Sequence, residues 1–253
     1  MNENKFSDLV SIIRRLRVEC PWDREQTNDS IKASTIEEAY EVVESIDNKD
    51  FDELKVELGD LLLHVIFHSV IAEEENKFKL DDVIDSIQGK LIRRHPHVFG
   101  SKEVRGAEDV KRNWETIKLS EGRNSVLEGV PENLPALQRA YRLQEKASKV
   151  GFDWDKKEQV WTKVIEEIEE MHKSEKEETR EELENEVGDV FFAMVNYSRF
   201  LNINPEYALR NSIKKFIKRF NYIEDKVNES GRKIHESNLE EMDKYWNESK
   251  KNN

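Results

Sequence analysis

The sequence predicts an all-α protein built from two similar helical-bundle halves in tandem. Three observations lead to this prediction. Apolar residues recur every three to four positions in successive segments, the spacing that places them on one face of an α-helix. No segment shows a convincing alternation of apolar and polar residues, which would indicate a half-buried strand. A set of acidic residues occurs twice, with residue numbers that differ by 129.

The first half opens with three segments that carry helix signals, at 6–18, 35–46 and 51–75. Ser34 or Thr35 is a candidate cap for the second segment, and Asp50 or Asp52 is one for the third. The polar residues at 47–49 are typical of a turn. The second and third segments are therefore predicted to form neighbouring antiparallel helices.

A further helix is predicted at 81–94, and it must end near His95-Pro96 because proline cannot continue a helix. A short helical piece is expected around Trp114. The stretch 120–135 collects glycine, proline and polar residues, a composition typical of a linker. The predicted domains are residues 1–120 and 121–253.

The second half repeats the order of the first. An amphipathic helix at 134–149 precedes an aromatic turn at 151–155, and two acidic helices follow. Asn204 as a cap with Pro205 at the first helical position is a good start signal for a long final helix, and Gly231 is a good stop signal.

The duplicated feature is a set of four acidic residues on each predicted pair of helices. The sets are Glu38, Glu41, Glu57 and Asp60, then Glu167, Glu170, Glu186 and Asp189. Carboxylates three residues apart share one helix face, so two adjacent helices would gather all four. Crowded carboxylates repel unless a cation neutralises them, and hard oxygen ligands suit Mg²⁺. A single such pair is usually a solvated helix face, but the duplication beside apolar residues favours a metal site.

Basic residues four positions apart are also duplicated, at a separation of 125. They are Lys90 and Arg94 in the first half and Lys215 and Arg219 in the second. The two cations of each pair share a helix face and are candidates for holding a polyphosphate, although an isolated pair is more often a solvated face. Trp114 and Trp246 end the two halves in matching positions. Packing is the first interpretation for them, and contact with a base or ribose is the second.

His64 and His68 follow Asp60 at helical spacing, which raises zinc or di-iron coordination as an alternative. The second half has Ala193 and Tyr197 at the equivalent positions, and no Glu-x-x-His occurs beside the acids. We therefore expect packing or simple hydrogen bonds for both histidines.

The net charge is -13 and the pI is near 5.1. These values argue against binding to DNA, RNA or anionic membranes, because the electrostatic attraction has the wrong sign. Cys20, the single cysteine, cannot form an internal disulfide and is expected to be structural in a reducing compartment. The N-terminus is not followed by an apolar segment of signal-peptide type. A cytoplasmic protein is expected.

Several motifs together resemble a known family. They are Cys20-Pro21-Trp22-Asp23, the Glu-Glu-x-x-Glu and Glu-x-x-Asp acids, Arg93-Arg94-His95-Pro96-His97-Val98-Phe99 and Val150-Gly151-Phe152-Asp153-Trp154. Their order and double occurrence resemble the two-repeat MazG nucleoside triphosphate pyrophosphohydrolases over nearly the whole chain. The resemblance implies an all-α fold related to the dimeric dUTPases, a homodimer, and Mg²⁺-dependent cleavage of NTPs and dNTPs to a nucleoside monophosphate and pyrophosphate.

The resemblance also implies roles for particular residues. The metal-binding and catalytic acids of the second half would be Glu167, Glu170, Glu186 and Asp189. Phosphate contacts would come from Lys215 and Arg219, with Trp246 closing the pocket. The first-half counterparts would be Glu38, Glu41, Glu57, Asp60, Lys90, Arg94 and Trp114. The second half is usually the working site, and Lys163, where the first half has Ser34, adds a further candidate phosphate contact. The first half keeps all four acids, so its activity stays open.

The implied reaction is hydrolysis between the α and β phosphates, with a carboxylate such as Glu38 or Glu167 orienting the water. Two alternatives stay open at this point. One is a narrow dUTPase-like nucleotidase of the same fold. The other is a helical regulatory protein that binds nucleotide or metal without turning it over. Nothing in the sequence fixes the base.

Overall fold

The computed structural model describes residues 3–106, 109–110, 113–114, 117, 121, 125–177 and 179–251. Across these residues every regular element is a helix and no strand occurs, which confirms the all-α prediction. The chain divides into two compact units, Met1–Val110 and Lys111–Asn253. Ser120 lies outside the described residues, so the domain limits 1–120 and 121–253 stay a prediction. In the described part, no helix combines the length and apolar character of a membrane span.

The first unit contains the four predicted helices in the predicted order, together with two short helices that were not predicted. In chain order the helices are α1 (Glu3–Glu19), α2 (Pro21–Glu25), α3 (Asn28–Asn48), α4 (Phe51–Glu74), α5 (Leu80–Arg94) and α6 (Pro96–Phe99). The predicted caps Ser34 and Thr35 were wrong, because α3 begins earlier. Thr27 caps it: its hydroxyl accepts a hydrogen bond from the Ser30 amide at 3.1 Å. Asp50 caps α4 as predicted, accepting from two backbone amides of the first turn.

The second unit repeats this pattern. Its helices are α7 (Ala136–Ser148), α8 (Lys157–Glu177), α9 (Arg180–Phe200), α10 (Pro205–Glu229) and α11 (Leu239–Ser249), with a 3-10 turn at Ile234–Glu236. Asn204 caps α10 as predicted, accepting from the Tyr207 amide at 3.0 Å. Gly231 follows the end of α10 with φ +77, a left-handed conformation that glycine adopts without strain.

Each unit is organised around one pair of long helices that carries the acids. In the first unit α3 packs along α4, with α1 and α5 also against α4. In the second unit α8 packs along α9, and both α7 and α10 contact α9. Buried aliphatic side chains hold the second pair together, among them Val160, Val164 and Val195. This packing sets the acidic faces of two helices against each other in both units.

Candidate functional site

Three carboxylates converge between α8 and α9. Glu167, Glu186 and Asp189 each place one carboxylate oxygen within 4.8 Å of the other two. Glu167 is 8% exposed, whereas Glu186 is half-buried and Asp189 is exposed. Glu170, the fourth predicted ligand, is exposed on α8 and lies outside this group of three. Since like charges at this spacing repel, the cluster is a candidate cation site.

Lys163 lies at the edge of this cluster, one helical turn before Glu167. Its Nζ is 2.7 Å from a carboxylate oxygen of Glu166 and 2.7 Å from one of Glu167. Hydrogen bonds to Glu166 and Glu167 raise the pKa of Lys163 above its usual value. The ammonium is therefore a permanent positive charge that offsets part of the acidic field of the second unit.

A cavity of about 760 Å³ in the second unit reaches this cluster. Lys163, Glu167 and Asp189 line its acidic end. Its other walls are mainly apolar and aromatic, with side chains of Leu127, Leu143, Phe152, Trp154 and Phe192. Small-molecule sites typically enclose about 300–1,000 Å³ and combine apolar walls with a few polar groups. With a cation at its acidic end, the cavity would suit a ligand with one anionic end and one flat, partly apolar end.

Ion pairs and hydrogen bonds from charged side chains hold two loops that border the cavity. Arg199 of α9 pairs with Asp153 of the aromatic turn, with 2.9 Å between Nη1 and Oδ2. The Lys146 side chain of α7 is buried and donates to the carbonyl oxygens of Val126 at 2.9 Å and Glu128 at 3.1 Å. Charge-assisted bonds of this kind are stronger than neutral ones. They keep the loops in place as walls of the cavity.

The first unit also has an acidic cluster, but it includes Glu41 and leaves out the predicted ligand Asp60, the counterpart of Asp189. Glu38, Glu41 and Glu57 each place a carboxylate oxygen within 4.8 Å of the others. Burial, the charge of Glu41 and the charge of Asp60 raise the pKa of Glu38. Burial, a hydrogen bond with Glu53 and the charge of Glu41 raise the pKa of Glu57 to about 7. The two clusters thus differ in charge compensation, because Ser34 replaces the lysine in the first.

The two histidines next to the first cluster are held by hydrogen bonds. The Thr35 hydroxyl is 3.0 Å from His64 Nδ1 and 2.8 Å from His68 Nε2. His68 Nδ1 is 2.6 Å from Asn28 Oδ1, and burial lowers the pKa of His68. His64 Nε2 is 3.8 Å from a carboxylate oxygen of Glu38. The expected hydrogen bonding is confirmed, and neither candidate metal cluster of the described residues contains a histidine.

Without metal, the first unit is expected to lose stability as pH rises from about 4.5 to about 7. The pKa of Glu57 is higher in the folded protein than its ordinary value of 4.5, so folding favours the protonated form. That contribution is fully present below pH 4.5 and is lost as pH passes through 7. Glu57→Gln should flatten the dependence of melting temperature on pH, measured by circular dichroism in EDTA. Glu25→Gln, an exposed carboxylate in the same unit, is the control. An unchanged slope in Glu57→Gln would contradict this assignment.

Lys163 lines the cavity, but three other predicted substrate contacts of the second unit, Lys215, Arg219 and Trp246, are not among its lining residues. Lys215 is exposed on α10. The Arg219 guanidinium is 5.4 Å from the ring centroid of Trp246, a cation-π contact, and Phe216 packs on the same ring at 5.6 Å between centroids. Arg219 of α10 and Trp246 of α11 therefore contact each other, and neither lines the cavity. Their substrate roles stay predictions.

The corresponding first-half residues are Lys90, Arg94 and Trp114, and each lies in a different setting. Lys90 of α5 lines an open cavity of about 410 Å³ together with Phe78, Asp82 and Ser86. Arg94 ends α5 and has partners of its own. Trp114 is half-buried, and much of the helical piece expected around it lies outside the described residues. Their predicted substrate roles also stay predictions.

Sequence reasoning missed two polar side chains that line the 760 Å³ cavity, Gln144 and Asn196. A signal was present for Asn196. It follows Asp189 by seven residues and Phe192 by four, a spacing that keeps all three on one face of α9. Gln144 gave no such signal, because α7 carries no acid of the repeated pattern.

Known proteins are similar to this chain over almost its full length. The family profile described as MazG nucleotide pyrophosphohydrolase domain matches residues 26–99 and 156–224, which contain both acidic clusters. The chain is 45% identical over 250 residues to the nucleoside triphosphate pyrophosphohydrolase/pyrophosphatase MazG of Thermotoga maritima, covering 97% of this chain and 95% of that protein. It is 40% identical over 257 residues to the nucleoside triphosphate pyrophosphohydrolase of Escherichia coli K12, covering 98% of each. A crystal structure of a MazG-related protein from Thermotoga maritima matches 45% of this chain and 98% of that chain, at 24% identity and a TM-score of 0.41.

Proposed function

Since this chain belongs to the MazG nucleotide pyrophosphohydrolase family, we propose that it is a Mg²⁺-dependent enzyme that hydrolyses NTPs and dNTPs. Water is added across the bond between the α and β phosphates. A new bond forms between phosphorus and the water oxygen, the bridging phosphorus–oxygen bond breaks, and a nucleoside monophosphate and pyrophosphate leave. The main site is assigned to the second unit.

One observation carries this assignment. The carboxylates of Glu167 and Asp189 line the same cavity as aromatic and aliphatic side chains, with Lys163 beside them. A triphosphate bound at the acidic end through a cation would place its sugar and base toward Trp154 and Phe192. Such a combination of a charged end and an apolar body is what a nucleotide requires.

The donor set of the second cluster fits magnesium. Glu167, Glu186 and Asp189 supply hard oxygen ligands within 4.8 Å of one another, and an octahedral shell would leave positions for water and phosphate oxygens. Bound there, the ion would neutralise phosphate charge and lower the pKa of a coordinated water. Glu170 remains a proposed further ligand, since it is exposed on the same helix.

The side chains of the cluster have distinct proposed tasks. Lys163 supplies a fixed positive charge at the acidic end and exchanges part of its bonding to Glu166 and Glu167 for a phosphate oxygen. Glu166 is exposed beside Glu167, and either carboxylate is proposed to orient the water and accept its proton. Catalysis then depends mainly on positioning and charge stabilisation.

A homodimer is proposed because both acidic helix pairs leave apolar side chains exposed. On α4 these are Leu58, Leu62 and Val65, and on α9 they are Phe191 and Met194. Apolar surface of this kind is usually covered by a partner. Light scattering on the purified protein should give twice the mass of one chain, and a monomer at micromolar concentration would exclude the proposal.

Pyrophosphate release from a panel of NTPs and dNTPs, with Mg²⁺ and then with EDTA, tests the proposed function. Release from several substrates only in the presence of Mg²⁺ is expected. Release from dUTP alone would indicate a narrow nucleotidase of the same fold. Nucleotide binding without any release would indicate a regulatory protein.

A further inference from the structure

The cavity of the second unit runs along one face of α9, away from the acids. Asp189, Phe192 and Asn196 line it, at positions i, i+3 and i+7 of this helix. The seven residues from Asp189 to Asn196 correspond to roughly 10 Å along the helix axis. A nucleotide held by its phosphates at Asp189 therefore has room for its ribose and base beside Phe192 and Asn196.

Gln144 of α7 lines this part of the cavity and carries a buried acceptor. The residue is 9% exposed, and its Nε2 donates to the carbonyl oxygen of Phe192 at 2.9 Å. This bond fixes the orientation of the amide, because a flipped amide would place oxygen against oxygen. Its Oε1 is enclosed and has no hydrogen-bond partner among the described residues. A buried acceptor normally has a donor, and a ligand in the cavity is a source of one.

Asn196 offers a hydrogen-bond donor, whereas Gln144 offers an acceptor. Asn196 Oδ1 accepts hydrogen bonds from Arg199 Nε at 3.1 Å and from Arg199 Nη2 at 2.9 Å. Arg199 is itself held by Asp153 of the aromatic turn. Because arginine can only donate, this contact fixes the Asn196 oxygen on the arginine and leaves Nδ2 as the donor. One acceptor and one donor, each held by a second protein group, thus line the same cavity.

The first unit has no such pair at the equivalent place. Asn196 corresponds to Phe67, which is buried in the apolar core with Ile13 and Ile31. Phe67 packs in the core of the first unit, whereas Asn196 lines a cavity in the second. The polar pair is therefore a feature of the second unit, where the main site is proposed.

We infer that Gln144 and Asn196 bind the hydrogen-bonding edge of the substrate's nucleobase, Gln144 Oε1 accepting an N–H and Asn196 Nδ2 donating to an acceptor on the ring. This inference rests on the proposed function. Each common nucleobase carries an N–H group next to an acceptor on its pairing edge. The two amides therefore recognise that a base is present without selecting one base. Trp154 and Phe152 supply aromatic surface for stacking in the same cavity.

The test compares kcat/KM for ATP, GTP, CTP and UTP with kcat/KM for ribose 5-triphosphate, which lacks a base. Gln144→Met removes the acceptor, and Asn196→Asp removes the donor while keeping an oxygen for Arg199. In each variant the preference for nucleoside over ribose triphosphate is expected to fall by about tenfold, the effect of losing one ordinary hydrogen bond. All four nucleotides should be affected.

Gln138→Met is the matched control, because Gln138 lies on the same helix and bonds to Asn204 outside the cavity lining. Its preference for nucleoside triphosphates should equal that of the wild type. Unchanged preference in both Gln144→Met and Asn196→Asp, with circular dichroism showing folded protein, would overturn the inference while the hydrolase assignment stands. Absence of pyrophosphate release from the wild type would instead overturn the proposed function.

Discussion

Combining Glu186→Ala with Asp189→Ala is expected to lower pyrophosphate release by about 10³-fold or more. Both residues belong to the carboxylate group of the second unit, and Asp189 also lines its cavity. Loss of one preorganised charge-stabilising group typically costs about 10²–10³ in rate. Initial rates at saturating Mg²⁺ with a mixed NTP panel would measure the effect, with circular dichroism to verify that helix content is unchanged.

The matched control is the pair Glu57→Ala with Asp60→Ala at the equivalent positions of the first unit. This variant should keep most of the activity if the second unit carries the main site. Equal loss in both variants would mean two working or coupled sites. Full activity in the second-unit variant would rule out the proposed ligand set.

Lys163→Met is expected to lower kcat/KM by roughly 10²-fold. The ammonium lies 2.7 Å from both Glu166 and Glu167, so its removal leaves the acidic end of the cavity without its fixed positive charge. A triphosphate then meets greater repulsion, and one charged hydrogen bond to phosphate is lost. Steady-state kinetics at several Mg²⁺ concentrations would separate the two effects, because excess metal compensates only for the repulsion.

Lys163→Arg should recover part of this loss, since arginine keeps the charge with a different geometry. Ser34→Met makes the equivalent change in the first unit, where the residue is half-buried beside a cluster without lysine. It should leave turnover close to that of the wild type. Wild-type kinetics in Lys163→Met would show that the lysine only supports the helix surface.

The negative charge of the repeated acids is offset differently in the two units. In the second, an ammonium and a cavity adjoin the carboxylates. In the first, a histidine nitrogen lies 3.8 Å from a Glu38 oxygen, and burial, a hydrogen bond with Glu53 and the charge of Glu41 raise the pKa of Glu57 to about 7.

The sequence by itself determined the all-α class, the repeat and the helix faces that carry the acids. These depend on spacing, because the helical period places residues three and four apart on one face wherever the helix forms. The sequence identified Asn204 as the single candidate cap of α10 and Asp50 as one of two candidate caps of α4, and both cap their helices. The start of α3 was not identified, because Thr27 outcompeted the later candidates Ser34 and Thr35.

Only the tertiary structure decided which acids meet, how they are compensated and what lies beside them. Glu170 shares the spacing of the other ligands yet lies outside the cluster of three, since contact across two helices depends on their packing. The orientation of Gln144 on α7 depends on a bond to α9, 48 residues further along the chain, and the cavity also takes walls from α8 and the aromatic turn. No local period connects these segments. These segments come together because their apolar faces bury each other when the second unit folds.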